Sequence, residues 1–186
     1  RWNGTSGSEL RGKKLGIQAY GHIGRLMAEI GKGFGMDVYS YTRSDANKKQ
    51  MAADGVKLVG SVEELYSTCN FVSTHVPAKE DTKKSLNYEL LSKMPKGGIL
   101  VNTARKEIID EDGLLRLMAE REDIRYISDI EPDKKDEFLK FGDRVLFTAK
   151  KMGAQTAEAN INAGLAAAEQ IVRFLKNGDR TFQVNK

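Results

Sequence analysis

The sequence predicts a doubly wound α/β domain on a parallel sheet. Three observations predict it. Short apolar runs alternate with helical patterns along nearly all of the 186 residues. The runs are near-continuously apolar rather than alternating in and out, which calls for cover on both faces of a sheet. The first run leads through a glycine-bearing turn straight into a helical pattern.

Residues 1–12 (RWNGTSGSELRG) are polar and rich in Gly and Ser, and read as a linker or the tail of a preceding element. KLGIQAY (14–20) is the first expected strand. Ile23, Leu26, Met27 and Ile30 then recur at i, i+3, i+4 and i+7, so a helix follows and ends near Gly31–Gly35. MDVYSYT (36–42) is the next strand, and VKLVG (56–60) is a short apolar run. SVEELYSTC (61–69) opens on a serine that caps a helix, with Glu64 three residues on. FVSTHV (71–76) is a strand stopped by Pro77. YELLSKM (88–94) is helical, and GGILVNTA (97–104) is a buried strand. GLLRLMAERED (113–123) is a helix whose N-terminus is favoured by Glu111 and Asp112. IRYISDI (124–130) and RVLFTA (144–149) are strands. A long helix over 156–176 carries Ile161, Leu165, Ala168, Val172 and Leu175 on one face, and Asn177-Gly178 ends it.

Composition narrows the function classes. Hydrophobic residues make up 40% and charged residues 30%, a balance that excludes a disordered chain. No apolar run approaches the ~20 residues that span a bilayer. The 30 basic and 26 acidic residues leave a net charge of +4, spread as scattered lysine pairs. A nucleic-acid surface calls instead for a concentrated basic stripe with interleaved aromatics. One cysteine, Cys69, excludes an internal disulfide framework and suits a reducing, cytoplasmic setting. With only two histidines beside it, no metal site is expected. The chain begins with Arg1 rather than Met and opens on no signal-peptide pattern, so a fragment of a longer protein is the expectation.

The first turn reads Ala19-Tyr20-Gly21-His22-Ile23-Gly24, the dinucleotide fingerprint G-x-G-x-x-G with alanine at its first glycine. This points to a Rossmann fold. Gly21 lets the backbone approach a pyrophosphate, Gly24 lets the helix pack close to the sheet, and the helix N-terminus favours the anion. Tyr20, Gly21, His22 and Ile23 are therefore candidate cofactor contacts. Ala19 must hold the tight turn with a negative φ. The second strand should end in a carboxylate for the adenine ribose, yet the chain reads Thr42-Arg43-Ser44. An Arg and a Ser suit a ribose 2′-phosphate, and a plain surface arginine is the equal alternative.

The downstream segments carry a more specific signal. Cys69-Asn70-Phe71-Val72, then His75-Val76-Pro77, Thr82 and Leu86, precede the block Met94-Pro95-Lys96-Gly97-Gly98. That block leads into Val101-Asn102-Thr103-Ala104-Arg105, and Asp110 follows. Together these resemble the signatures of the D-isomer-specific 2-hydroxyacid dehydrogenases, over residues 7–185. The closing segment KKMGAQTAEANINAG is similar to the short-form D-3-phosphoglycerate dehydrogenase branch of that family.

The resemblance implies NAD as cofactor, with NADP kept open by Arg43, and oxidation of 3-phospho-D-glycerate to 3-phosphohydroxypyruvate. His75, Val76, Pro77, Thr82, Thr103 and Ala104 fall on its cofactor contacts, and Asp129 on the aspartate that receives the nicotinamide carboxamide. Arg105 falls on the arginine that binds the substrate carboxylate, through its two-pronged guanidinium. Glu131, followed by Pro132, is the best match for the family glutamate, although the family has a longer loop there. The family histidine is absent. Where the family reads Thr-Pro-His, this chain reads Thr148-Ala149-Lys150-Lys151-Met152-Gly153, which puts Lys151 at the acid/base position, with Lys150 one slip away. A neutral amine must accept the hydroxyl proton; the charge of Lys150 favours neutral Lys151, and Glu131 opposes it.

The resemblance also implies an organisation: a linker at 1–12 from an upstream substrate domain, a dinucleotide domain at 13–152, and a tail at 153–186 returning to the substrate domain. With that domain largely missing, this polypeptide should bind dinucleotide and turn over poorly. Twofold pairing through the cofactor domain is a further expectation. The rival reading is a dinucleotide-sensing binding protein on the same scaffold, as in C-terminal-binding-protein corepressors.

Overall fold

The computed structural model describes residues 7–151 and 153–185. Residues 1–6 of the expected linker and Met152, the end of the expected dinucleotide domain, lie outside the described residues. Two units form, one up to Ala149 and one from Lys150.

In the first unit, β1 (Lys14–Gln18), β2 (Asp37–Tyr41), β3 (Lys57–Leu58), β4 (Phe71–Thr74), β5 (Ile99–Asn102), β6 (Arg125–Ser128) and β7 (Val145–Phe147) make one sheet. Its order is β3-β2-β1-β4-β5-β6-β7. Every neighbouring pair is parallel, as the near-continuously apolar runs predict. The order reverses between β1 and β4, which opens a crevice at the carboxyl ends of those strands.

Both faces are covered. Leu15 and Ile17 of β1 pack with Ala28 of helix α1 (His22–Gly33), and with Val38 and Met51. Gly16 faces the other way. A Cβ there would lie 3.0 Å from Cys69 and 3.2 Å from Leu65, so only a glycine lets helix α3 (Val62–Thr68) sit this close. Burial pushes the Cys69 thiol up to about 12, which makes it a core group rather than a nucleophile. Ser61 caps α3 as expected, its Oγ accepting from the Glu64 N–H at 3.0 Å. The Glu64 carboxylate returns to the Gly60 N–H at 2.7 Å, one residue earlier than a standard capping box.

Helix α1 forms where the periodicity predicts it, but its apolar stripe turns outward. Ile23 is 58% exposed and Ile30 54%, whereas Gly24, Ala28 and Gly31 are buried. A Cβ on Gly24 would lie 2.5 Å from the Ala19 carbonyl oxygen, and one on Gly31 2.5 Å from Leu15 Cδ2. The helix therefore meets the sheet through its small residues.

Helix α2 (Asp45–Ala53) was not expected from the pattern: it is largely polar and buries only Met51. It is set instead by Ser44, whose Oγ accepts from the Asn47 N–H at 3.4 Å. Helices α4 (Tyr88–Leu91) and α5 (Glu111–Glu120) follow near their expected places. Helix α6 (Lys135–Leu139) likewise has no periodic signal in the sequence; Phe138 anchors it against Tyr126 and Phe147, with ring centroids 5.7 and 5.9 Å away. After α5, Arg121 grips Asp123 at 2.6 Å and donates to the carbonyls of Met94 and Pro95. That guanidinium holds the Asp123 carboxyl down at about 2 and fastens the turn ahead of β5.

In the second unit, helix α7 (Ala157–Asn177) is capped by Thr156, whose Oγ1 accepts from the Ala159 N–H at 3.0 Å. It ends at Gly178, whose φ of +65° is the left-handed cap that glycine favours. Among the described residues, no helix is long and apolar enough to cross a membrane.

Candidate functional site

The switch-point crevice is a cleft of about 630 Å³ lined by residues from three strand ends. Gln18 and Ala19 come from the end of β1, Thr42, Arg43 and Ser44 from the turn after β2, and Val76, Pro77 and Thr82 from the loop after β4. Six expected cofactor residues thus share one cleft. Its size is typical of small-molecule sites.

Of the turn from β1 into α1, Ala19 lines the cleft, and Tyr20, Gly21, His22 and Ile23 follow it outside the lining. Ala19 departs from the expectation of a negative φ: its φ is +73°. An L-residue in this left-handed region carries strain of roughly 1–2 kcal/mol. The surroundings hold it there. Its N–H donates to the Tyr41 carbonyl at 3.1 Å, and its own carbonyl lies under Gly24. Tyr20 turns its side chain into the core, where its hydroxyl donates to Asp54 Oδ2 at 2.8 Å. Burial and that carboxylate push the phenol well above its usual range, so it stays a neutral donor. Asp54 also accepts from Gln50 at 2.8 Å, so Tyr20 ties the turn to the end of α2. Gly21 stands at the N-cap of α1 with nothing within 4 Å of a Cβ position. His22 and Ile23 open the helix, with no acidic side chain in its first turn. Backbone N–H groups of a first helical turn have no partner inside the helix, and they suit a phosphate.

The loop after β4 is held by local bonds. The His75 N–H donates to the Gln18 carbonyl at 3.0 Å, and its Nε2 lies 3.0 Å from Ser73 Oγ. Burial lowers the imidazole below its usual range, so it is neutral at physiological pH. Thr82 Oγ1 accepts from the Lys79 N–H at 2.7 Å and lies 2.6 Å from the Pro77 carbonyl.

Asn102 has a role that sequence reasoning missed, although it sits inside the V-N-T signature. It is fully buried at the end of β5. Its Oδ1 accepts from Thr74 Oγ1 at 3.1 Å and from the Ala104 N–H at 3.0 Å, while its Nδ2 donates to the Arg105 carbonyl at 2.9 Å. One amide thereby shapes the turn through Thr103 and Ala104 and fastens it to β4. Arg105 emerges from that turn in extended backbone, exposed, with Nη1 donating to the Ala104 carbonyl at 2.9 Å.

Asp129 follows β6, and its N–H donates to the Asn102 carbonyl. Its Oδ1 is buried and has no hydrogen-bond partner. Buried acceptors are normally satisfied, so this oxygen fits a ligand N–H such as that of a carboxamide. The Glu131 carboxylate pairs with Lys135 of α6 at 2.6 Å. Lys150 and Lys151 belong to the second unit, so Arg105, Asp129 and Glu131 stand in one unit and both lysines in the other. The open Gly21 and the unsatisfied Asp129 oxygen are the features that fit a nicotinamide dinucleotide.

Comparison with known proteins agrees. A family model described as the D-isomer specific 2-hydroxyacid dehydrogenase, NAD binding domain, matches residues 1–150. The D-3-phosphoglycerate dehydrogenase of Haemophilus influenzae is 37% identical over 99% of this chain and 46% of that protein. That of Methanocaldococcus jannaschii is 35% identical over 91% of this chain and 32% of its own length. Among solved structures, the NAD+-bound 3-phosphoglycerate dehydrogenase of Entamoeba histolytica is 44% identical with a TM-score of 0.84, covering 98% of this chain and 58% of that one. The apo D-lactate dehydrogenase of Escherichia coli is 27% identical with a TM-score of 0.75, covering 94% of this chain and 55% of that one. The chain thus spans roughly half or less of the curated relatives it matches. It belongs to the D-isomer-specific 2-hydroxyacid dehydrogenase family and carries that family's NAD-binding domain.

Proposed function

We propose that this chain is the cofactor half of a D-3-phosphoglycerate dehydrogenase, which oxidises 3-phospho-D-glycerate to 3-phosphohydroxypyruvate in a cytoplasmic setting. The observation that carries the dinucleotide part is the buried, unpartnered Asp129 Oδ1 beside the Asn102 turn that presents Arg105. Similarity to several D-3-phosphoglycerate dehydrogenases supports the substrate.

When bound, NAD would supply the acceptor for the hydride that leaves C2 of the hydroxy acid. The chain's own residues orient and move the proton. Arg105 binds the substrate carboxylate and polarises the C2 oxygen through its two-pronged donors. Lys151 takes the hydroxyl proton in oxidation and returns it in reduction, with Lys150 as the neighbouring alternative. Glu131, whose carboxylate pairs with Lys135, keeps the place of the family glutamate in this proposal. Asp129 would accept the carboxamide N–H, and the N–H groups of Gly21, His22 and Ile23 would receive the pyrophosphate.

Titration calorimetry of the folded 186-residue chain should register NAD binding; no uptake of either pyridine dinucleotide refutes the reading. Joined to a substrate domain, Lys151→Ala should lower kcat by about 10²-fold or more while the NAD dissociation constant holds, and Lys151→His should restore part of the loss. Unchanged turnover in Lys151→Ala removes the lysine from the chemistry. Dinucleotide binding with no turnover in the joined protein would favour the sensing reading. Pairing of two chains through the cofactor domain is part of the same proposal, supported by the exposed Ile23, Leu26, Ile30 and Phe34 along α1. Sedimentation equilibrium should then report a dimer that Leu26→Glu dissociates; a wild-type monomer refutes it.

A further inference from the structure

A dinucleotide fold of this kind usually takes the adenine ribose on a carboxylate at the end of the second strand. That position here holds Thr42, Arg43 and Ser44, and no acid. The turn is internally tied. Thr42 Oγ1 accepts from the Ser44 N–H at 3.3 Å, and Ser44 Oγ accepts from the Asn47 N–H. Arg43 reaches across the cleft instead. Its Nη2 lies 3.0 Å from Asp81 Oδ2, in the loop between β4 and α4. Arg43 and Asp81 line the same cleft. A carboxylate therefore stands at the ribose edge after all, delivered from a different loop and gripped by the very arginine that would otherwise receive a 2′-phosphate.

We infer that Asp81 is the residue that selects NAD over NADP. This rests on the reading of the cleft as the dinucleotide site. Two effects act together. The Asp81 carboxylate occupies the Arg43 donors, and its charge opposes a 2′-phosphate brought to the same edge. It also supplies an acceptor for a ribose hydroxyl, which a phosphate cannot use. The pair is well exposed, with side-chain accessibilities of 74% and 52%, so it adds little to folding. Its role lies in where it puts charge, and its removal should leave the fold intact.

The test is calorimetry of NAD and NADP binding to the full chain and three variants: Asp81→Asn, Arg43→Ala and the double substitution. Asp81→Asn should shift the ratio of the two dissociation constants at least about tenfold toward NADP, equivalent to about 1.4 kcal/mol. Arg43→Ala should shift it toward NAD, and in the double variant it should cancel the gain. Melting temperatures should stay within about 2 °C of wild type, as for a surface pair. Should the chain bind NAD while Asp81→Asn leaves the ratio unchanged, the inference falls and the dinucleotide site stands. Should folded wild type and variants bind neither dinucleotide, both fall together.

Discussion

Gly24→Ala should lower NAD affinity at least about tenfold and destabilise the chain by about 1–3 kcal/mol, the range for forcing an added carbon into a packed site. The added Cβ would stand 2.5 Å from the Ala19 carbonyl oxygen and 3.1 Å from Ile17 Cγ2. The first of these is backbone and has no rotamer to yield. The oxygen belongs to a residue already at a φ of +73°, so the strain feeds directly into the turn that faces the cleft. Two companion substitutions separate fold from binding. At Gly21 a Cβ meets nothing within 4 Å and φ is −87°, so Gly21→Ala should melt with wild type while NAD binding weakens. Ala19→Gly should gain about 1 kcal/mol by relieving the left-handed alanine. Urea titration and calorimetry on the three proteins read both quantities. A Gly24→Ala chain with wild-type stability and affinity would mean that α1 does not approach the sheet as described.

Phe138→Ala should cost about 3–5 kcal/mol, the range for truncating a large buried aromatic. Phe138 is fully buried and completes a triangle with Tyr126 and Phe147, whose own centroids are 5.4 Å apart. Edge and tilted contacts of this kind add about 0.5–1.5 kcal/mol beyond area burial. The effect should reach the site. Phe138 is what holds α6 down, and α6 carries Lys135, the partner of Glu131, just after Asp129. Phe138→Leu keeps most of the volume and should lose less than half as much. Chemical denaturation of both variants decides it, and a loss under about 1 kcal/mol in Phe138→Ala would contradict the packing.

Local chemistry made much of this legible. Near-continuously apolar runs marked the strands, and Ser61 and Gly178 marked helix ends where caps indeed form. The turn at Ala19–Gly24, between a strand and a helix, pointed to the dinucleotide-binding fold that the family match shows. Helices α2 and α6 are short and bury one residue each, Met51 and Phe138, so they carry no periodic signal in the sequence. Ala19 shows a different limit. Backbone strain at one residue depends on the bonds and packing around it, which a string of letters does not state.

The sequence by itself determined the alternation of strands and helices, the dinucleotide turn and the family signature, because each is encoded in residues close together along the chain. Only the tertiary structure decided which face of α1 meets the sheet, since periodicity reports a stripe and not what lies opposite it. There the glycines won over Ile23 and Ile30, because the backbones approach too closely for larger side chains. The Arg43–Asp81 pair, the Asn102 latch and the unpartnered Asp129 oxygen were decided the same way. Arg43 and Asp81, and Thr74 and Asn102, are far apart in sequence and meet only once the parallel strands set their loops side by side.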